Sequence, residues 1–190
     1  MDNFLDTCVI VASFDTAESH HKVAREFIKE SDNFLIAKYQ KDPEIIWLFK
    51  RKKRIVISVL RSMTNEKIDV LGSYDLKKEL RRLLQKYSLE NPTLKNLKSL
   101  LLILNYLERE VRNFVNTKVK KIIPNCEDRK LIKSLEIANI PDAKIIASAL
   151  VEHQDNPLIL NTLDKKDWEK KKIKRACYRN DLVIPRINYI

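Results

Sequence analysis

The sequence predicts an α/β domain built on a mostly parallel central sheet, and three observations lead there. Apolar runs of strand length recur along the chain, and longer stretches with apolar residues at helical spacing separate them. The 190 residues, 44% hydrophobic and 33% charged, also suffice for one well-buried core and exclude wholesale disorder.

The elements follow in order. Asn3 to Ala12 is an apolar, β-branched run interrupted only by Asp6-Thr7, which suits a buried parallel strand. From Ala17 to Lys29, Val23, Ala24, Phe27 and Ile28 share a helical face. Pro43 opens a helix carrying Ile45, Ile46, Leu48 and Phe49, and that helix is expected to end in the basic run Lys50-Arg51-Lys52-Lys53-Arg54. Ile55-Val56-Ile57-Ser58-Val59 is the expected second strand. Helical spacing returns between about Thr64 and Leu89, through Leu76, Leu80, Leu83 and Leu84. It resumes after Pro92 with Leu97, Leu100, Leu101, Leu104, Leu107 and Val111, continued by Phe114 and Val115.

Pro124 breaks this pattern, so a separate helix is expected from about Glu127 to Ile137. Another starts at Asn139-Ile140-Pro141-Asp142, with Asn139 as cap and Ile145, Ile146, Ala149 and Leu150 facing a core. Leu158-Ile159-Leu160-Asn161-Thr162 reads as a third strand, Lys165 to Arg175 as a surface helix, and Leu182-Val183-Ile184 as a last short strand. No internal repeat or Ser/Gly linker divides the chain, so residues 1–190 read as a single domain with an all-helical middle.

Composition narrows the function. The single glycine, Gly72, excludes P-loop and dinucleotide folds, whose phosphate turns need several. A net charge of +11 favours a polyanionic partner, nucleic acid ahead of an anionic membrane surface, although some of it can serve thermostability. Cys8, Cys126 and Cys177 lack the number and spacing of a disulfide framework or zinc ribbon and read as reduced thiols. With Asp2 and Asp6 near the start and no window approaching about 18 apolar residues, the expectation is a cytoplasmic protein without a membrane span.

Ligands of parallel α/β sheets bind at the carboxyl ends of strands, so acids at those ends matter most. Asp6 lies inside the first apolar run, where a carboxylate needs a cation, a partner or backbone N–H donors. Asp142 is in a first helical turn, where the macrodipole alone favours an acid. Asp164 and Asp167 follow the third strand, where an ordinary turn into a helix would also place them.

In Phe4-Leu5-Asp6-Thr7-Cys8-Val9-Ile10, in Ile140-Pro141-Asp142-Ala143-Lys144-Ile145-Ile146-Ala147-Ser148-Ala149-Leu150 and in Leu160-Asn161-Thr162-Leu163-Asp164-Lys165-Lys166-Asp167-Trp168, the chain resembles the three signatures of PIN-domain nucleases, in the family order. The resemblance implies a PIN-like α/β/α sandwich, with a helical insertion at about 70–125 falling outside it. It implies a metal-dependent endoribonuclease, a toxin of a toxin–antitoxin pair or an RNA-processing enzyme. RNA is then the substrate, and a homodimer or a protein antitoxin is a partner within the family's range. Asp6, Asp142 and Asp164 match its acids, Thr7 and Thr162 the hydroxyl residues that steady them, and Asp167 a supplementary acid. The remaining acid of the family sits in the helix after the second strand, and beyond Ser58 the nearest acid is Glu66.

Three or four carboxylates at one mouth need a compensating cation, and Mg²⁺ or Mn²⁺ prefers such oxygen ligands. Around them, Lys50, Arg51, Lys52, Lys53 and Arg54, the tract Lys118-Val119-Lys120-Lys121, and Lys165 and Lys166 at the head of the run to Arg175 are candidate RNA contacts. His20, His21 and His153 read as solvated, Cys8 as a structural thiol, Tyr39 as a base-stacking candidate and Trp47 as core. Two rival readings are a noncatalytic RNA-binding or assembly module on the same fold, and a DNA-directed nuclease of the flap type.

Overall fold

A computed structural model describes residues 1–64 and 74–190. In chain order its elements are β1 (Asp2–Leu5), α1 (Thr7–Phe14), α2 (His21–Glu30), β2 (Phe34–Ala37), a kinked turn at Gln40–Glu44 with Asp42 extended, α3 (Ile45–Thr64), α4 (Tyr74–Lys86), α5 (Leu94–Thr117), β3 (Val119–Ile123), α6 (Arg129–Ser134), α7 (Ile140–Asp155), β4 (Leu158–Thr162), α8 (Lys170–Arg179) and β5 (Arg186–Tyr189). The chain forms two compact units, one from Met1–Ile45 with Val111–Ile190, the other from Ile46–Glu110.

The first unit is α/β, and all five strands of its sheet run parallel in the order β3-β2-β1-β4-β5. Parallel strands covered on both faces are apolar throughout, and β2, Phe34-Leu35-Ile36-Ala37, is buried at every residue. Phe4 of β1 lies opposite Leu35 on one side and Leu160 on the other. These three share a core with Ile146 and Leu150 of α7, with Ile173 of α8, and with Trp168 in the turn before α8. Alanines at 143, 147 and 149 are buried in α7, so the helix packs closely on its neighbours. A second aromatic row, Phe27, Phe34, Phe114 and Phe14, has successive ring centroids 5.6–6.5 Å apart.

The second unit is helical. Ile55, Val56 and Val59 of α3 pack with Leu80, Leu83 and Leu84 of α4 and Leu97, Leu100 and Leu104 of α5. The expected strand at Ile55–Val59 is therefore the middle of a 20-residue helix. Its buried positions fall at i, i+1 and i+4, a helical stripe, and packing against two helices overrides β-branched propensity. Consequently Lys50–Arg54 lies within α3 rather than at a helix end. Arg51 pairs with Glu79 at 3.3 Å, and Lys53 with Glu108 and with Asn105 at 3.1 Å. Trp47, expected in the core, is 58% exposed.

Two further expectations are corrected in the first unit. The apolar run Asn3–Ala12 is a four-residue strand followed by α1, a helix so enclosed that Val9, Ile10, Val11 and Ala12 are all buried. Periodicity cannot distinguish such a helix from a buried strand. Leu182–Ile184 is not a strand, and the edge strand lies just beyond it at Arg186–Tyr189. The tract at Lys118–Lys121 runs into the opposite edge strand, β3, where Lys120 pairs with Asp2 at 3.3 Å and Lys121 with Glu152 at 2.6 Å. Lysines on an edge also discourage another strand from pairing there. Among the described residues no helix is long and apolar enough to cross a membrane.

Candidate acidic site at the carboxyl ends of β1 and β4

Chain order reverses across β1, which has β2 on one side and β4 on the other. A crevice outside the carboxyl ends of the strands at such a reversal is where parallel sheets place ligands. Asp6 directly follows β1, and Thr162 ends its neighbour β4.

Asp6 is 6% exposed. Its backbone bridges the two strands and α1: its N–H donates to the Asn161 carbonyl (2.9 Å), and its own carbonyl accepts from Val9 N–H (3.1 Å). The side chain makes no helix-capping hydrogen bond. Instead Oδ2 accepts from the Thr162 hydroxyl at 2.7 Å and from the Cys8 thiol at 2.8 Å. Burial pushes the Asp6 carboxyl above the ordinary range and the Asp164 charge adds to this, while the bonds from Cys8 and Thr162 oppose it. Burial, with Asp6 beside it, also pushes the Cys8 thiol far up, so Cys8 stays a protonated donor. Cys8 sits in α1 rather than in a strand, and Leu163 N–H donates to its sulfur at 3.3 Å.

Thr162 works in two directions. Its hydroxyl donates to Asp6 and accepts from Asp164 N–H at 2.9 Å. Asp164 Oδ1 in turn accepts from the backbone N–H groups of Lys166 (2.8 Å) and Asp167 (3.1 Å), closing the turn that leads to Trp168.

Asp142 lies in the first turn of α7, with the Asn139 amide donating to its Oδ2. Burial, followed by the charges of Asp6 and Asp167, raises its carboxyl to about 7, although the bond from Asn139 opposes this. A macrodipole role alone would lower the carboxyl, not raise it. The structure therefore brings Asp6, Asp142, Asp164 and Asp167 within electrostatic reach of one another.

A further acid joins them that the sequence reading passed over. Glu44 closes the turn after β2, its Oε2 accepting from the Thr7 hydroxyl at 2.6 Å. Burial, then Asp6 and Asp142, raise its carboxyl to about 7 against the pull of Thr7. Gln40, with no exposed surface, fixes the approach. Its Oε1 accepts from Ala37 N–H (2.8 Å), and its Nε2 donates to the Leu5 carbonyl (2.8 Å) and Thr7 Oγ1 (3.1 Å). One amide thus ties the end of β2 to the end of β1 and to the hydroxyl that holds Glu44. The signal for Glu44 was β2 itself, four apolar residues ending seven positions before it. Glu66, the acid expected in this role, lies outside the described residues.

Tyr39 stands in the same field, its hydroxyl raised by burial and by Glu44 and Asp142, and its backbone N–H donates to Asn125 Oδ1 at 2.7 Å. Of the histidines, His153 is buried rather than solvated, its Nδ1 accepting from Leu158 N–H at 2.8 Å, and His21 Nδ1 meets the Ala12 carbonyl at 2.8 Å. Lys165 and Lys166 are exposed beside Asp164.

Asp6, Glu44, Asp142 and Asp164 offer only oxygen donors, and the first three carry carboxyls raised in part by each other's charge or that of Asp164. Such a donor set fits a hard divalent cation in kind. Among the described residues no three His, Cys, Asp or Glu side chains stand in a metal-holding arrangement. The carboxylates are held instead by Thr162, Cys8, Thr7, Asn139 and backbone N–H groups. Comparison with known proteins gives no matching family model, no matching curated protein and no matching solved structure.

Proposed function

We propose that the protein is a cytoplasmic, Mg²⁺- or Mn²⁺-dependent endoribonuclease on a PIN-like α/β/α fold. The observation that carries this reading is the gathering of buried acids around Asp6 at the carboxyl end of β1: the Asp6 charge raises both Glu44 and Asp142, Asp142 raises Glu44, and Asp164 raises Asp6. Asp6, Glu44, Asp142 and Asp164 would hold the cation. The cation would supply Lewis acidity, making water a better nucleophile and offsetting charge on the scissile phosphate. The chain's own part is positioning and charge. Thr162 and Cys8 orient Asp6, Thr7 orients Glu44, and Asn139 orients Asp142. Without the cation the carboxyls of Glu44 and Asp142 lie at about 7, so at neutral pH each carries its proton part of the time, and cation binding would displace it.

The test is cleavage of a fluorescent single-stranded RNA. Wild-type cleavage is expected to stop in EDTA and return with Mg²⁺ or Mn²⁺. Asp6→Asn, Glu44→Gln and Asp142→Asn should each remain folded and lose on the order of 100-fold in rate. Wild-type rates in Asp6→Asn or Asp142→Asn would refute the reading. Glu66→Gln, assayed in parallel, decides the fourth position: activity kept there and lost in Glu44→Gln assigns it to Glu44, and the reverse result to Glu66.

A further inference from the structure

We propose that the groove between α8 and β5 is a phosphate-backbone subsite that seats a short run of the RNA strand beside the acidic site. The proposal rests on the ribonuclease reading above. The groove encloses about 510 Å³, and its charged lining is entirely cationic: Lys170, Lys174 and Arg186. Tyr189 also lines it, and the Lys165 ammonium stands 5.9 Å from the centre of that ring.

The charges of α8 are sorted by face. Lys172 pairs with Glu169, and Arg175 and Arg179 pair with Glu136. Lys170 and Lys174, one helical turn apart on the groove side, make no ion pair among the described residues, and neither do Lys165 and Arg186. Unpaired ammonium and guanidinium groups keep their donors for an incoming anion. Cations repeated along a groove, with no acid in its lining, suit an anion that itself repeats, and a sugar–phosphate chain does.

Tyr189 presents its ring to two of these cations, Lys165 and Lys170. Its hydroxyl donates to the Trp168 carbonyl at 2.8 Å and accepts from Lys170 N–H at 3.3 Å, so the ring cannot turn away. The Lys170 ammonium then lies 4.9 Å from the ring centre, attracted without being neutralised. The groove also has a definite address relative to the acids. Tyr189 is the β-partner of Thr162, and Ile190 N–H donates to the Thr162 carbonyl at 3.1 Å. Thr162 is the residue whose hydroxyl holds Asp6, and neighbouring strands stand about 4.8 Å apart, so the subsite begins one strand away from the acids.

The experiment titrates salt against binding of a single-stranded RNA, read by fluorescence anisotropy in EDTA so that no cleavage intervenes. The variant Lys170→Gln/Lys174→Gln/Arg186→Gln is compared with Lys130→Gln/Lys133→Gln/Arg179→Gln, which removes equal charge elsewhere in the same unit. If three phosphates are lost, the slope of log K against log[salt] falls by about 2 in the groove variant, at about 0.7 per phosphate, and stays at the wild-type value in the control. Equal slopes in wild type and groove variant, or equal losses in both variants, would overturn the proposal. So would groove-dependent binding to phosphatidylserine vesicles with RNA binding unchanged. Groove-dependent RNA binding by a wild type that never cleaves RNA would uphold the subsite and refute the ribonuclease reading instead. Circular dichroism melts of both variants confirm that exposed substitutions leave the fold intact.

Discussion

Replacing Glu44 by glutamine isolates the electrostatic cost of gathering these carboxylates. Its carboxyl lies at about 7 where an ordinary glutamate is at 4.5, owing first to burial and then to Asp6 and Asp142, with the Thr7 hydrogen bond opposing. At about 1.4 kcal/mol per pH unit, keeping Glu44 ionised at pH 8 in the metal-free folded protein costs roughly 3 kcal/mol. Burial is the largest cause of the shift and a buried amide also loses hydration, so the net gain expected from Glu44→Gln at pH 8 is about 1–2 kcal/mol. The isosteric amide can still accept from Thr7. For a chain of this size the gain corresponds to a rise in Tm of about 2–8 °C.

The sign follows from the direction of the shift. A carboxyl raised on folding binds its proton more tightly in the folded state, so stability from this group is greatest at acid pH and is lost as pH climbs towards 7. At pH 5 the cost to wild type is below about 1 kcal/mol, and the advantage of the variant should shrink accordingly. The assay is thermal unfolding followed by circular dichroism in EDTA at pH 5 and pH 8. A variant no more stable than wild type at pH 8, or equally advantaged at both pH values, would refute the electrostatic reasoning. Adding Mg²⁺ at pH 8 should reverse the ranking, because a cation bound only by the folded state stabilises wild type by mass action.

Two further outcomes are expected. Gln40→Ala strips partners from Ala37 N–H, the Leu5 carbonyl and Thr7 Oγ1 inside a fully buried pocket, and should cost about 2–4 kcal/mol in urea unfolding; a loss under about 0.5 kcal/mol would mean that the strut is dispensable. All three thiols are pushed up by burial, Cys177 to about 11, so a thiol-reactive dye at pH 8 should label the native protein slowly and the urea-unfolded protein fully; fast native labelling at Cys8 would contradict its protonated, Asp6-bonded state.

Sequence reasoning was strongest where chemistry conflicted with its surroundings. An aspartate inside Phe4-Leu5-Asp6 demanded a reason, and the structure supplies one at the end of β1. The strand at Leu158–Thr162 has the bounds read from the sequence, and Asp164 follows from it. The second strand was not legible by the same means. Phe34–Ala37 is only four residues long and has no alternation, whereas Ile55–Val59 is β-branched and one residue longer. What decides between them is non-local: β2 is sandwiched between β1 and β3, while α3 packs against α4 and α5. Counted from Ile55–Val59 the next glutamate is Glu66, and counted from Phe34–Ala37 it is Glu44. The Asp32-Asn33 pair, with Asn33 in the left-handed region at φ 53°, was the local punctuation available before β2.

The bond between Thr162 and Asp6 joins residues 156 positions apart, and the central strand β1 gains its β4 neighbour only through that late segment. At ribosomal rates of about 5–20 residues per second, something like eight to thirty seconds separate the synthesis of the two residues. From the synthesis of Glu44 until that of Asp142 the nascent chain carries Asp6 and Glu44 alone, half of the acidic site. Completion of the acidic site is thereby tied to synthesis through Asp164, so under the proposed ribonuclease reading a shorter nascent chain would lack the full set of acids.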